Sequence, residues 1–262
     1  SDTVWVNPTP RVEGTIGDTV LCDSTTTNIS LQSPSIFTSG NISFKYTVTA
    51  TGGVTGFNPS VSGLPDGHII ADNLINPSNS VQTVTYRISP LSPIGCNDGP
   101  DALVTIYVQP TPRLSVSIAD TIVCDSATID ITVNDLNGNV SGGTTKVYQL
   151  TTTNVGGVIG VQTDGEYPSG TDITDQLINP TNSVQEVIYH FKARIRDDRP
   201  GHEGFFCDQG GDTTITVYVQ PAPRLSVSIA DTIVCDSTTI DITVNDLNGN
   251  VSGGTTKVYQ LT

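Results

Sequence analysis

Five cysteines, three histidines and a set of aspartates are the residues of this 262-residue chain that could do chemistry. The cysteines follow a pattern. Cys22 stands in IGDTVLCDS at 16–24, and Cys124 and Cys235 stand in identical IADTIVCDS stretches at 118–126 and 229–237. Cys96 and Cys207 each follow one of the first two. A pair recurring in the same order argues for one structural disulfide per repeat, formed in an oxidising, exported compartment. The expected links are Cys22–Cys96 and Cys124–Cys207, with the partner of Cys235 beyond Thr262. Reduced thiols buried in cores are the alternative.

Catalysis finds little support. His68, His190 and His202 do not recur at equivalent places in the repeats, and no G-x-S-x-G, H-E-x-x-H or phosphate loop occurs. We expect no catalytic residue and no enzyme. NDLNGNV spaces Asp135, Asn137 and Asn139 as a calcium loop would, but Lys146 stands where such a loop needs a bidentate Glu. Asn137-Gly138 reads instead as a hairpin turn. Asp164 with Glu166, and Asp172 with Asp175, could hold calcium weakly at a seam between domains, and read better as a solvated acidic face. No cofactor and no metal site are therefore expected.

One loop, RIRDDRPGHEGFF, crowds together Arg196, Asp197, Asp198, Arg199, His202 and Glu203. It is a candidate contact loop, or a self-neutralising salt-bridged surface loop. Trp5 aligns with Tyr107 and Tyr218 on the outward side of a closing strand. Packing between strands or domains is the preferred role there, ahead of a sugar platform.

These groups must be held by strands. Val, Ile and Thr abound, helix formers are scarce, and no sustained 3.6-residue apolar period occurs. In EVIYHFKARIR, the inward row is Val187, Tyr189, Phe191, Ala193 and Ile195, with charged residues between. RLSVSIAD, TIDITVND and TITVYVQP alternate likewise. One dry and one wet face per strand means antiparallel sheets packed face to face. The P-x-P-R marker ends at Arg11, Arg113 and Arg224, and residues 112–151 and 223–262 differ only at Ala127 against Thr238. The period is that of a whole sandwich domain.

The expected organisation is a closing strand of a preceding repeat at 1–8, repeats at 9–110 and 111–221, and the N-terminal part of a third at 222–262. Prolines in the linkers should stiffen the array into a rod, each repeat adding roughly 35–45 Å. A net charge of −15 repels nucleic acid and anionic membranes, so no nucleic-acid partner and no direct membrane insertion are expected. There is no Met, signal peptide or transmembrane run, and the chain is expected to be a stretch of a longer protein.

DNLINPSNSVQTVTYRISPLSPIGCNDGP followed by VTIYVQPTPR resembles the PKD-like repeats of giant Bacteroidota cell-surface proteins, including adhesins of the SprB gliding-motility type. The V-x-Y strand, the Gly-Cys and the terminal V-x-P-x-P carry the likeness; the second copy has Phe206-Cys207 and a longer loop instead. The resemblance implies Ig-like β-sandwich repeats in a long secreted adhesin filament that gives reach and adhesion. It implies an extracellular surface or polysaccharide ligand, with type IX secretion and gliding machinery engaged through other regions. A carbohydrate-binding array accessory to a secreted hydrolase is the alternative. It also brings in O-glycosylation at Asp-Ser/Thr triplets, here Thr3, Thr19, Ser24, Thr121, Ser126, Thr213, Thr232 and Ser237. Such dipeptides equally make turns between strands.

Overall fold

The apolar-polar alternation becomes strands throughout the computed structural model, which describes residues 2–260; Ser1, Leu261 and Thr262, at the outer ends of the first and last expected segments, lie outside them. Among the described residues every regular element is a strand. Two compact units form, and they do not coincide with the sequence repeats. The first comprises residues 1–113, 136–146 and 194–210, the second residues 114–135, 147–193 and 211–262.

In the first unit, Glu13–Ile16, Ile29–Gln32 and Ile69–Ile70 make a three-stranded sheet. The second sheet runs Val20–Leu21, Ala102–Val108, Gln82–Leu91, Ser43–Ala50 and Ser60–Pro65. All its pairs are antiparallel except the first, where Val20 and Leu21 lie parallel to Tyr107 and Val108. The core between the sheets holds Leu31, Phe44, Tyr86, Ile88 and Ile106, each fully buried.

The second unit repeats this plan. Leu114–Ile118, Ala127–Asp135 and Ile173–Leu177 form one sheet. The other orders Ile122–Val123, Asp212–Val219, Gln185–Asp197, Thr144–Asn154 and Gly165–Pro168; residues 194–197 of the third of these, and Phe206–Cys207 paired to them, belong to the first unit, as do residues 144–146. The inward row expected of EVIYHFKARIR is the buried row, so period-2 reading placed these side chains correctly.

A buried Tyr–Asp pair recurs in both units. The Tyr86 hydroxyl donates to Asp72 Oδ2 at 2.8 Å, and Tyr189 to Asp175 Oδ2 at 2.6 Å. Burial pushes both phenols above their usual range and the Asp72 carboxyl upward as well.

One expectation changes. Residues 2–8 form no strand, because none of them has a ladder partner among the described residues; Asn7 instead accepts from the Thr38 amide at 2.9 Å. Among its described residues the third copy forms the strand pair Leu225–Ile229 and Ile242–Asp246, exposed at every position.

Candidate functional site

The early-cysteine stretch is a turn that delivers one strand residue pair and then a thiol. Asp18 Oδ1 accepts from the Val20 amide at 3.0 Å, which turns the chain into the short strand Val20–Leu21. Cys22 follows and is buried. Asp23 then braces the exit: Oδ1 accepts from the Asn76 amide at 2.8 Å and Oδ2 from the Thr111 hydroxyl at 2.6 Å. Ser24 adopts a left-handed backbone, φ 58°, as do Ser126 and Ser237 at the same place in their copies. A non-glycine residue rarely sits there, so its threefold recurrence marks a built feature.

Cys22 is bonded to Cys207, 185 residues away, with 5.3 Å between Cα atoms. Cys96, Cys124 and Cys235 are free and exposed. The expected links Cys22–Cys96 and Cys124–Cys207 are thereby corrected, and the sheets give the reason. Cys22 leaves its strand beside Val108, while Cys96 lies in the connection that enters the same neighbouring strand at Ala102. Seven extended residues put those ends about 20 Å apart, too far for a bridge. The second repeat separates Cys124, beside Val219, from Cys207, before Asp212, in the same way.

The candidate contact loop packs around this disulfide. Ile195 faces Cys207 in the strand register, and Cys22, Ile195, Cys207 and Val140 form one small apolar cluster. Arg199 Nε donates to Asp197 Oδ1 at 2.9 Å, and its Nη2 bridges Asp197 to Asp18, 2.9 Å from Asp18 Oδ1. Asp197 is buried, and the guanidinium holds its carboxyl below the usual range while raising the arginine's own pKa. His202 Nδ1 lies 3.4 Å from Asp18 Oδ2 and 3.5 Å from Asp197 Oδ2. Arg196 Nε pairs with Asp198 at 2.6 Å, and Thr145 also donates to Asp198. Glu203 accepts from the Gly201 amide. The loop is thus salt-bridged, within itself and to Asp18. Ligand atoms of Asp18, Asp197 and His202 lie within 4.8 Å of one another, but the positive charge between the two carboxylates is the Arg199 guanidinium.

The sequence reading missed a second seam. Asn137-Gly138 makes no hairpin turn; neither residue has a positive φ. The Gly138 amide donates to Asn79 O at 2.8 Å, and the Val81 amide to Asn139 O at 2.7 Å. A Cβ on Gly138 would stand 2.1 Å from Ser80 Oγ, so glycine serves close backbone approach. Asn137 meanwhile accepts from the Arg113 amide at 2.7 Å and donates to Thr111 O at 2.9 Å. Gly249 and Asn250 repeat these bonds with Asn182 and Val184. The signal was present as twin N-P-x-N-S-V loops, each matched to a following N-G-N.

The remaining candidates scatter. Asp164 accepts from Thr152, Asp172 from the Val133 amide, and Asp175 from the Gln162 amide and Tyr189. His190 meets Thr214 Oγ1 on an outward face, and His68 lies in the turn before Ile69. Trp5, Tyr107 and Tyr218 are exposed. Of the triplet hydroxyls, Thr3, Ser24, Thr121, Ser126, Thr232 and Ser237 are exposed, Thr19 is half-buried, and Thr213 lies within the Asp212–Val219 strand rather than in a turn.

Residues 19–112 match the PKD-like domain family model. No curated protein is a significant match. Among solved structures, chicken CNTN1 FN1–FN3 domains align at 13% identity over 82% of this chain and 68% of that one, TM-score 0.33. Mouse cadherin-23 EC22–24 aligns at 13% over 93% and 79%, TM-score 0.39, and the D0–D1 domain of intimin at 9% over 80% and 98%, TM-score 0.26. PKD-like, Ig-type folds are typically non-catalytic extracellular modules for adhesion or binding, and the disulfide is consistent with that location. No helix is long and apolar enough to cross a membrane among the described residues. Among the described residues the chain is all-β, built of tandem β-sandwich domains, and its residues 19–112 are similar to a PKD-like domain.

Proposed function

We propose that this chain is a non-catalytic, tension-carrying stretch of a long extracellular adhesion filament of the kind used in gliding motility. Its surface or polysaccharide ligand and its export and motility partners would be engaged elsewhere along the filament. The observation that supports this reading is the Cys22–Cys207 bond. Tension applied outside these two residues passes through the sulfurs, because that is the shorter covalent path. The residues between them leave the load path, withholding about 600 Å of contour length from extension. A module that only displayed a binding face would gain stability from a link of 185 residues, whereas a filament under drag would also keep its length.

Single-molecule pulling from the two termini tests this. The oxidised chain should reach full extension about 600 Å short of the reduced chain. Equal contour lengths with and without reductant would refute the mechanical reading. Binding of polysaccharide by each isolated repeat, with no change in extension on reduction, would favour a carbohydrate-binding array instead.

A further inference from the structure

A cavity of about 380 Å³ opens beside Cys124, lined by Gln220, Pro221, Val251, Val258 and Tyr259 among others. Its counterpart in the first unit is filled. There the residues equivalent to Cys124 and Val251 are Cys22 and Val140, and Ile195 and Cys207 pack onto them. Two groups at the open cavity have lost what their counterparts possess. Cys124 is a free, exposed thiol, whereas Cys22 is buried and bonded. Gln220 is nine-tenths buried, and its Oε1 accepts from the Ser252 amide at 3.2 Å, yet its Nε2 has no partner. The equivalent Gln109 Nε2 donates to Ser141 Oγ and faces Thr144 Oγ1 at 3.3 Å. An unpaired buried amide costs free energy, and the equivalents of Ser141 and Thr144, Ser252 beside Gln220 and Thr255 on the cavity wall, do not close onto Gln220 Nε2.

We propose that this cavity is a socket for the late strand pair of a PKD-like repeat. The occupant is a copy of residues 194–210, carried by the same repeat to which residues 223–262 contribute. Its isoleucine fills the apolar side against Val251, and its late cysteine bonds Cys124. The early cysteine of each repeat therefore pairs with the late cysteine of the next, never with its own. In forming the bond the two thiols lose two electrons and two protons to a disulfide oxidant, which leaves as two thiols. Apolar contacts on Val258 and Tyr259, 83% and 41% exposed, would be covered in the same step.

The sequence itself supplies the test. Because 223–262 duplicates 112–151 apart from Thr238, appending a copy of residues 152–221 after Thr262 completes the third repeat. After refolding in a glutathione redox pair, non-reducing peptide mapping should find Cys124 joined to the appended late cysteine, with Cys235 open to alkylation. A late cysteine joined to Cys235, or Cys124 still alkylated, would overturn the proposal. Should the extended chain fail to fold, the 262-residue chain decides with a peptide of residues 194–210 carrying an activated mixed disulfide at its cysteine. Cys124 should exchange at least tenfold faster than Cys96 and Cys235, and denaturant should erase the preference; equal rates in the native chain would sink it. Linkage mapping stands apart from force–extension, so this inference and the mechanical reading can fail separately.

Discussion

Residues 112–151 and 223–262 are the same sequence but for one residue, and they end in opposite conditions. Both pair their first two strands in one register: Leu114 faces Asp135 and Ile118 faces Ile131, just as Leu225 faces Asp246 and Ile229 faces Ile242. In the earlier copy Ile131, Tyr148 and Leu150 are fully buried, and Thr144–Asn154 is an eleven-residue strand. In the later copy Ile242 is 53% exposed and Tyr259 41%, and no strand follows Asp246 among the described residues. The hairpin register is a local property, set by alternation. Burial is not local: it needs Ile173–Leu177, Gln185–Asp197 and Asp212–Val219, which cover the earlier copy and have no counterpart over the later one among the described residues.

The cysteines of the two copies of the early turn offer the largest break in this comparison. Cys207→Ser opens the 185-residue loop closed on Cys22 and should destabilise the first unit by about 5 kcal/mol in the chain-entropy account, read from denaturant unfolding. Cys124→Ser, at the exposed equivalent, should change stability by less than about 0.5 kcal/mol. A matched loss in both would mean that Cys124 is already bonded.

Next comes the apolar row. Ile131→Ala should cost about 3 kcal/mol, because a cavity remains in a closed core, whereas Ile242→Ala should be near neutral. Equal effects would show that the later hairpin is packed after all.

Smaller again is the Tyr–Asp pair. Tyr189→Phe removes the hydroxyl from Asp175, which is 3% exposed, and should cost about 2 kcal/mol in thermal unfolding. A neutral result would mean that the carboxyl is not confined.

The subtlest contrast is between Tyr148 and Tyr259. Burial pushes Tyr148 up to about 12, while Tyr259 is raised first by its hydrogen bond to Asp246. A group whose folded pKa is raised contributes fully below its unfolded value, near 10 for tyrosine, and its contribution is lost as pH rises toward the folded value. Stability should therefore fall between pH 10 and 12 by about 1.4 kcal/mol per pH unit for Tyr148. Tyr148→Phe should flatten that slope, and Tyr259→Phe should not; phenolate absorbance and unfolding measured together check both.

Alternation, repetition and composition were enough for the all-β class and the inward rows, since these depend on neighbours two residues apart. Asp23 and Asp125 could be read as turn formers, and both are, each also accepting from a distant asparagine amide. What the cysteines do could not be read this way. Order along the chain pairs Cys22 with Cys96, but the parallel pairing of Val20–Leu21 with Tyr107–Val108 sends Cys22 to the opposite end of the sheet from Cys96. The same holds for Asn137-Gly138, where a local turn signal yields to close contact with Asn79 and Ser80 some 60 residues earlier. Spacing in sequence reports local geometry; which thiol meets which, and which glycine admits a neighbour, depends on distances that only the packed sheets define.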